Sequence, residues 1–182
     1  MGCDIHFFVE RYTDEPQESG PTDTQELRER NISTLLDDKG EPKYPKRWTS
    51  IDNWELQEYD DEDSYWDFDS FYGDRNYLIF SILAGVRGRD DFEYKMSDPR
   101  GLPEGLSYPV KYMSDIWEMD AHSHSYYYLN ELIDRWGEMK KKVEKSKVIE
   151  DYVIDILDNL IEDLSSVDED SSNVRCVFWF DN

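Results

Sequence analysis

The two ends of the chain have the same character, and this constrains the fold more than any other feature of the sequence. Residues 3–10 and residues 174–181 are short runs rich in aromatic and β-branched side chains, a composition that favours β-strands. Side chains alternate between the two faces of a strand, so one face of the first run carries Cys3, Ile5, Phe7 and Val9. We therefore expect both ends to lie in the core sheet, where they can be neighbours.

A buried helix is predicted in the middle of the chain. Tyr77–Ala84 is apolar on nearly all sides, as expected of a helix that packs on every face. Asp74 precedes it as a candidate N-terminal cap, and Gly85 and Gly88 follow as stop signals.

Further helices are predicted over residues 25–36, from about residue 127 to 145, and over residues 148–164, where apolar side chains recur with clear helical spacing. Together these elements predict an α+β fold, with residues 1–182 as a single domain. We expect a small sheet that contains both terminal strands, packed by the buried helix and by a C-terminal helical pair.

The chain is strongly acidic, although its aromatic content is that of a folded protein. It has 43 Asp and Glu against 20 Lys and Arg, a net charge of −23, and 15% aromatic residues. Disordered acidic chains are poor in aromatic side chains, so we interpret this chain as a folded acidic domain. Negative charge repels phosphate and anionic lipid, which argues against direct binding to nucleic acid or membrane.

One segment of this domain has an unusual composition. Residues 51–74 hold ten acidic side chains, several interleaved aromatic ones and no Lys or Arg. Such a segment packs onto its own domain or onto a partner. An acidic surface can also imitate nucleic acid for a basic host protein.

The sequence predicts a soluble cytoplasmic protein. No run approaches the ~18 apolar residues of a membrane-spanning helix, and the N-terminus lacks the pattern of a signal peptide. Cys3 and Cys176 are too few for a disulfide framework and lie in apolar strands. We expect two buried free thiols.

Two clusters contain all three histidines. Asp4 and His6 are two residues apart on the first strand, so both project from one face. Asp120, His122 and His124 share one side if their segment is extended. We interpret Asp4, His6, His122 and His124 as ligands of a divalent ion (Zn, Mn or Mg), and Asp120, His122 and His124 as catalytic groups. In the alternative interpretation the first pair lies on the solvent-exposed face of an edge strand, and the second cluster orients a loop.

Arginines gather beside glycines between residues 75 and 100. They are Arg75, Arg87, Arg89 and Arg100, at turns on either side of the predicted buried helix. Guanidinium groups bind phosphate or carboxylate oxygens in pairs. Arg75, Arg87 and Arg100 therefore predict a pocket for a phosphate-bearing ligand, although each could instead pair with one of the many acidic side chains.

The chain contains M-G-C-D-I-H at its start, R-N-Y from Arg75 followed by L-A-G-V-R, P-R-G-L-P from Pro99, H-S-H-S from His122 and V-F-W-F-D-N at its end. This combination, which spans nearly the whole chain, resembles a family of small phage and bacterial proteins of unassigned function. The resemblance implies a phage or bacterial cytoplasm as the setting and no mechanism.

A weaker resemblance is to metallophosphoesterases, which share the early D-x-H, a later G-D and a late H-x-H. Their G-N-H-D/E motif is absent and the chain is short for their fold. The resemblance therefore implies only a metal-ligand role for Asp4, His6, His122 and His124.

The leading hypothesis is a metal-dependent phosphoesterase that acts on nucleotides. A bound ion would lower the pKa of a water to ~7, and without an ion a histidine would serve as general acid or base. The second hypothesis is a phage counter-defence protein without enzymatic activity, which sequesters a nucleotide signal or imitates nucleic acid. A third is an accessory protein whose His and Arg side chains brace loops. The oligomeric state stays open.

The sequence lacks a P-loop, a G-x-G-x-x-G after a strand, a G-x-S-x-G elbow and a C-x-x-C pair. Enzyme classes built on those motifs in their usual forms are therefore excluded.

Overall fold

A computed structural model of the protein describes residues 2–15, 19–22, 35–36, 39, 42–43, 46–58, 65–88, 94–146 and 149–181. Three predictions lie wholly or mostly outside these residues. They concern the helix over residues 25–36, of which only Leu35–Leu36 are described and form a strand, residues 59–64 within the acidic segment 51–74, and Arg89.

A four-stranded antiparallel sheet is the centre of the fold, and the two ends of the chain form its inner strands. The described residues form the strands β1 (Ile5–Thr13), β2 (Leu35–Leu36), β3 (Pro42–Lys43), β4 (Arg47–Ser50), β5 (Asn53–Gln57), β6 (Tyr65–Asp69), β7 (His122–Tyr128) and β8 (Val174–Phe180). The order in the central sheet is β4-β1-β8-β7, while β2–β3 and β5–β6 are separate two-stranded sheets. The expectation that both ends pair in one sheet is confirmed.

Four helices in the described part of the chain pack against the central sheet. They are α1 (Tyr77–Ala84), α2 (Tyr108–Trp117), α3 (Leu129–Ser146) and α4 (Asp151–Ser165), and a 3₁₀ turn (Ser171–Asn173) leads into β8. The predicted buried helix and C-terminal helical pair are confirmed as α1, α3 and α4. The α3 helix begins two residues later than predicted because Tyr127 and Tyr128 belong to β7, and α2 is not predicted from the sequence.

Alternating side chains of the inner strands supply two apolar clusters on opposite faces of the sheet. Phe7, Val9, Cys176 and Phe178 are buried with α1, α3 and α4. On the other face Phe8, Val177 and Trp179 are buried with α2 and the β5–β6 hairpin. This division confirms the predicted apolar face of the first strand and makes a three-layer α+β domain.

The α1 helix has the predicted end but a different start. Its N-terminal cap is Asn76, not Asp74, and the Asn76 Oδ1 accepts hydrogen bonds from the N–H groups of Leu78 (3.1 Å) and Ile79 (3.4 Å). Gly85 ends the helix with a φ of 70°, a left-handed conformation that glycine adopts without strain.

The described part of the acidic segment packs onto the chain's own sheet. Trp54 and Phe68 of the β5–β6 hairpin lie against Phe8, with ring centroids 6.0 and 4.6 Å away. Glu55 and Asp67 on the same strands are exposed. The aromatic side chains therefore fasten the hairpin, and the carboxylates form its outer surface.

Cys3 and Cys176 are free and buried, as predicted. Within the described ranges, no helix combines the length and the apolar composition needed to cross a membrane.

Candidate functional site

Pairing of β1 with β8 brings Asp4, His6 and Asp181 together at one end of the sheet. The Asp4 N–H donates to the Asp181 carboxylate (N to Oδ1, 2.8 Å), and the Asp181 N–H donates to the Asp4 carbonyl oxygen (3.2 Å). These bonds continue the ladder in which His6 lies opposite Trp179. We call the group formed by Asp4, His6, Arg75, Trp117, Trp179 and Asp181 the His6 site.

His6 lies against one carboxylate and two indole rings. Its Nε2 is 3.1 Å from the Asp181 Oδ2, and its ring centroid lies 4.3 Å from that of Trp117 and 5.9 Å from that of Trp179. The side chains of His6 and Asp181 are only 14% and 15% exposed. A carboxylate at one imidazole nitrogen orients the ring and fixes its tautomer, which leaves the other nitrogen for proton transfer.

Both indole N–H groups at His6 are buried without a hydrogen-bond partner among the described residues. One is the Trp117 Nε1 at the end of α2, and the other is the Trp179 Nε1 in β8. Buried donors in folded proteins are nearly always paired with protein or water. The unpaired donors therefore favour a ligand or water whose oxygen atoms accept hydrogen bonds here.

Asp4 and Arg75 form a two-point ion pair at the rim of the His6 site. The Arg75 Nε donates to the Asp4 Oδ1 (2.5 Å), and its Nη2 donates to the Asp4 Oδ2. This hydrogen bonding to Arg75 lowers the pKa of the Asp4 carboxyl below its ordinary value. The guanidinium lies over Gly2, where an added Cβ would be 2.7 Å from Nη1. A side chain at residue 2 would therefore displace Arg75.

His122 and His124 lie in β7 on either side of a β-bulge. Ser123 between them has a φ of 55°, and the register with β8 shifts between His122 and Ser125. The His122 ring is 6.1 Å from that of Phe180, and the His124 ring is 5.5 Å from that of Trp179. The bulge thus directs the two imidazoles toward different residues of β8.

Burial lowers the pKa of His124 below its ordinary value, and the neighbouring His122 lowers it further. The His122 Nδ1 lies 3.0 Å from the Ser123 Oγ, while its Nε2 is buried without a partner among the described residues. Asp120 is exposed in the turn before β7, outside the strand on which the sequence places it with the two histidines.

The three arginines of the predicted pocket occupy separate places. Arg75 binds Asp4, and Arg87 is exposed in the turn after α1 with a φ of 56°. The Arg100 Nη1 donates to the Glu131 Oε2 (2.6 Å), and the Arg100 guanidinium lies 4.2 Å from the centre of the Tyr126 ring. Arg75 and Arg100 therefore each contact a carboxylate of this chain, in different parts of the fold.

The four predicted metal ligands also have different surroundings. Asp4 is held by Arg75, while His6 contacts Asp181. In the part of the chain that the structure describes, no three His, Cys, Asp or Glu side chains are grouped so that they could hold one metal ion.

Sequence analysis did not identify Trp117, Trp179 or Asp181 as site residues. The sequence holds a signal for two of them. Alternation places Trp179 and Asp181 on one face of β8, and in the sheet this is the face on which β1 carries His6. No comparable signal points to Trp117, which reaches the site from the C-terminal end of α2.

Comparisons with family models, with curated proteins and with solved structures give no match to this chain.

Proposed function

We propose that the protein binds a small phosphate-bearing molecule, such as a nucleotide, at the His6 site and hydrolyses a phosphoester bond in it. The setting of the proposal is a bacterial or phage-infected cytoplasm. One observation carries it: His6 contacts the Asp181 carboxylate and two indole rings whose buried N–H groups are unpaired among the described residues. Such a histidine suits acid–base chemistry, and such donors suit phosphate oxygens.

In this reaction a water oxygen attacks phosphorus while the P–O ester bond breaks. The His6 Nδ1 accepts the proton of the attacking water, and the leaving oxygen takes a proton from solvent. Asp181 stabilises the imidazolium that forms, because opposite charges 3.1 Å apart interact strongly in a largely buried site. Arg75 at the rim holds Asp4 through Nε and Nη2, and its Nη1 would contact a phosphate oxygen.

The proton transfer runs through His6 and requires no set of metal ligands. Metal dependence is therefore a separate prediction. Activity measured after treatment with a chelator, and again with added Zn²⁺, Mn²⁺ or Mg²⁺, would test it.

A second candidate is a binding protein that sequesters the same ligand without hydrolysing it, as a phage counter-defence protein would. Recovery of unchanged nucleotide from the denatured complex, together with no turnover, would support it over the enzyme.

The acidic surface favours a further variant, in which the protein imitates nucleic acid for a basic partner. The outer side of α4 carries the exposed carboxylates Asp151, Asp155, Glu162 and Asp163. Binding of such a partner would weaken steeply with salt, since exposed charges are screened beyond ~8–10 Å.

The enzyme proposal is tested by product release from a panel of nucleoside monophosphates, triphosphates and cyclic nucleotides. We expect His6→Ala to lower kcat by about 10²–10⁴-fold, the usual contribution of a general acid or base. Asp181→Asn should lower kcat less, and Arg75→Gln should raise KM. Arg135→Gln, which removes a guanidinium that contacts Glu131 away from this site, is the matched control.

His122→Ala separates this proposal from the sequence-based one, which places catalysis on His122 and His124. Loss of activity in His122→Ala with full activity in a folded His6→Ala variant would refute the role of His6. Native mass spectrometry of protein purified without a tag would identify a bound nucleotide or metal ion directly.

A further inference from the structure

A cavity of about 350 Å³ lies at the β4 edge of the central sheet. Its lining includes Arg11 of β1, Thr49 and Ser50 of β4, Asp52 after β4, and Val167 after α4. Residues 5, 7, 9 and 11 of β1 share the face toward α4, whereas His6 and Phe8 point to the other layer. The volume falls in the range of small-molecule sites and far exceeds the ~30 Å³ share of one water.

Two hydrogen-bonding atoms in this cavity lack partners among the described residues. They are the Nε of Arg11 and the Oγ1 of Thr49, and both are buried. Thr49 is only 5% exposed. Arg11 and Thr49 lie directly opposite each other in the β1–β4 pair, so their side chains are neighbours on one face. An Nε–H and a hydroxyl thus stand side by side, and both can donate to one acceptor group.

The charges around these donors limit which acceptor group fits. Arg11 also contacts the Glu15 carboxylate through Nη2, so the cavity mouth already holds one negative charge. Asp52 lies on the wall, where it accepts hydrogen bonds from the Ser50 hydroxyl (2.8 Å) and the Val9 N–H (3.1 Å). Burial raises the pKa of Asp52 to about 7. A doubly charged phosphate would meet more repulsion here than a singly charged carboxylate.

We propose that this cavity binds a small monocarboxylate, whose oxygens accept hydrogen bonds from the Arg11 Nε–H and the Thr49 hydroxyl and whose apolar part lies against Ile51 and Val167. This site is independent of the His6 site, with which it shares no lining residue. The 350 Å³ volume admits a short-chain acid.

The experiment is a titration of the full chain with butyrate, followed by protein NMR and by thermal unfolding. The matched probes are butyramide, which has nearly the same shape without charge, and inorganic phosphate. Thr49→Val removes the hydroxyl at nearly constant volume, and Thr49→Ser keeps it. Val167→Phe narrows the cavity without touching either donor, and Ser165→Ala removes an exposed hydroxyl elsewhere.

We expect saturable binding of butyrate that shifts resonances of Thr49, Asp52 and Val167 and raises the unfolding temperature. Binding should weaken at least about tenfold with butyramide and with the Thr49→Val and Val167→Phe variants, and should persist in Thr49→Ser and Ser165→Ala. Three results would each overturn the proposal: no saturable shift with butyrate, equal binding by a folded Thr49→Val variant, or phosphate binding at these residues in place of butyrate.

Discussion

Arg175 and Glu10 form an ion pair that solvent does not reach. They lie opposite each other in β8 and β1, the Arg175 Nε donates to the Glu10 Oε2 over 2.6 Å, and neither side chain is exposed. The guanidinium also donates to the carbonyl oxygens of Glu104 and Gly105, each over 3.1 Å. The second Glu10 oxygen accepts from the Ser107 N–H (2.6 Å). The pair therefore fastens the loop before α2 to the sheet.

Arg175→Met should lower the free energy of unfolding by about 3–5 kcal/mol, because it leaves a buried carboxylate without its partner. The double variant Glu10→Gln with Arg175→Met should recover part of this loss. Urea unfolding measures both. Asp115→Asn, which breaks an exposed ion pair with Lys111, should cost less than about 1 kcal/mol. A loss below that size for Arg175→Met would show that the pair contributes little.

The same substitution should have opposite effects at two glycines. Gly85→Ala should destabilise by about 1–2 kcal/mol, since Gly85 has a φ of 70° and an added Cβ would lie 3.1 Å from the Lys95 Cδ. Gly137 lies inside α3 with no atom within 4 Å of an added Cβ, so Gly137→Ala should stabilise by about 0.5–1 kcal/mol. Thermal unfolding measures both changes, and a shared sign would contradict the prediction.

Asp52 should give the protein an unusual dependence of stability on pH. Burial raises the pKa of Asp52 from 3.8 to about 7, with a smaller contribution from Glu10. Between these pH values the folded state binds more protons than the unfolded state, so the contribution of Asp52 to stability falls as pH rises through the window. The slope is at most about 1.4 kcal/mol per pH unit.

Asp52→Asn removes this titration because an amide does not ionise. Its side-chain oxygen can still accept the hydrogen bond from the Val9 N–H. The free energy of unfolding of the wild type, relative to that of Asp52→Asn, should therefore fall steadily from pH 4 to pH 7. Chemical denaturation at several pH values measures it, and parallel curves for the two proteins would contradict it.

His124 should titrate below the ordinary histidine pKa of ~6.5. Burial is the main cause, and the charge of His122 is the second. Imidazole NMR signals followed against pH measure the pKa of His124 directly. His122→Asn should raise it part of the way back, since burial remains. A value at or above 6.5 in the wild type would show that the ring is better solvated than its position beside Trp179 indicates.

The two inner strands of the sheet and most helices could be predicted because their patterns repeat along the sequence. In β1, β8 and α4, several residues in succession fit the spacing expected of a strand or of a helix. The α2 helix provides few, with only Pro109, Val110 and Met113 buried. The β7 strand begins with polar residues and contains a bulge at Ser123, so its strand character depends on pairing with β8 and not on its own composition.

The types of residue in the candidate site could be predicted from the sequence, but not which residues contact one another. The D-x-H spacing groups Asp4 with His6, whereas in the structure Asp4 binds Arg75, 71 residues away, and His6 contacts Asp181, 175 residues away. Sheet register decides such contacts, and local spacing carries no information about it.

β1 and β8 are paired in space, yet about 160 residues separate Thr13 from Val174 along the chain. A ribosome that adds about 5–20 residues per second needs on the order of 10–30 s to make the second strand after the first. During that time β1 presents unpaired N–H and C=O groups, the condition under which nascent chains aggregate or recruit chaperones. A ribosome that stalls before Val174 therefore carries a chain that lacks an inner strand and cannot close its core.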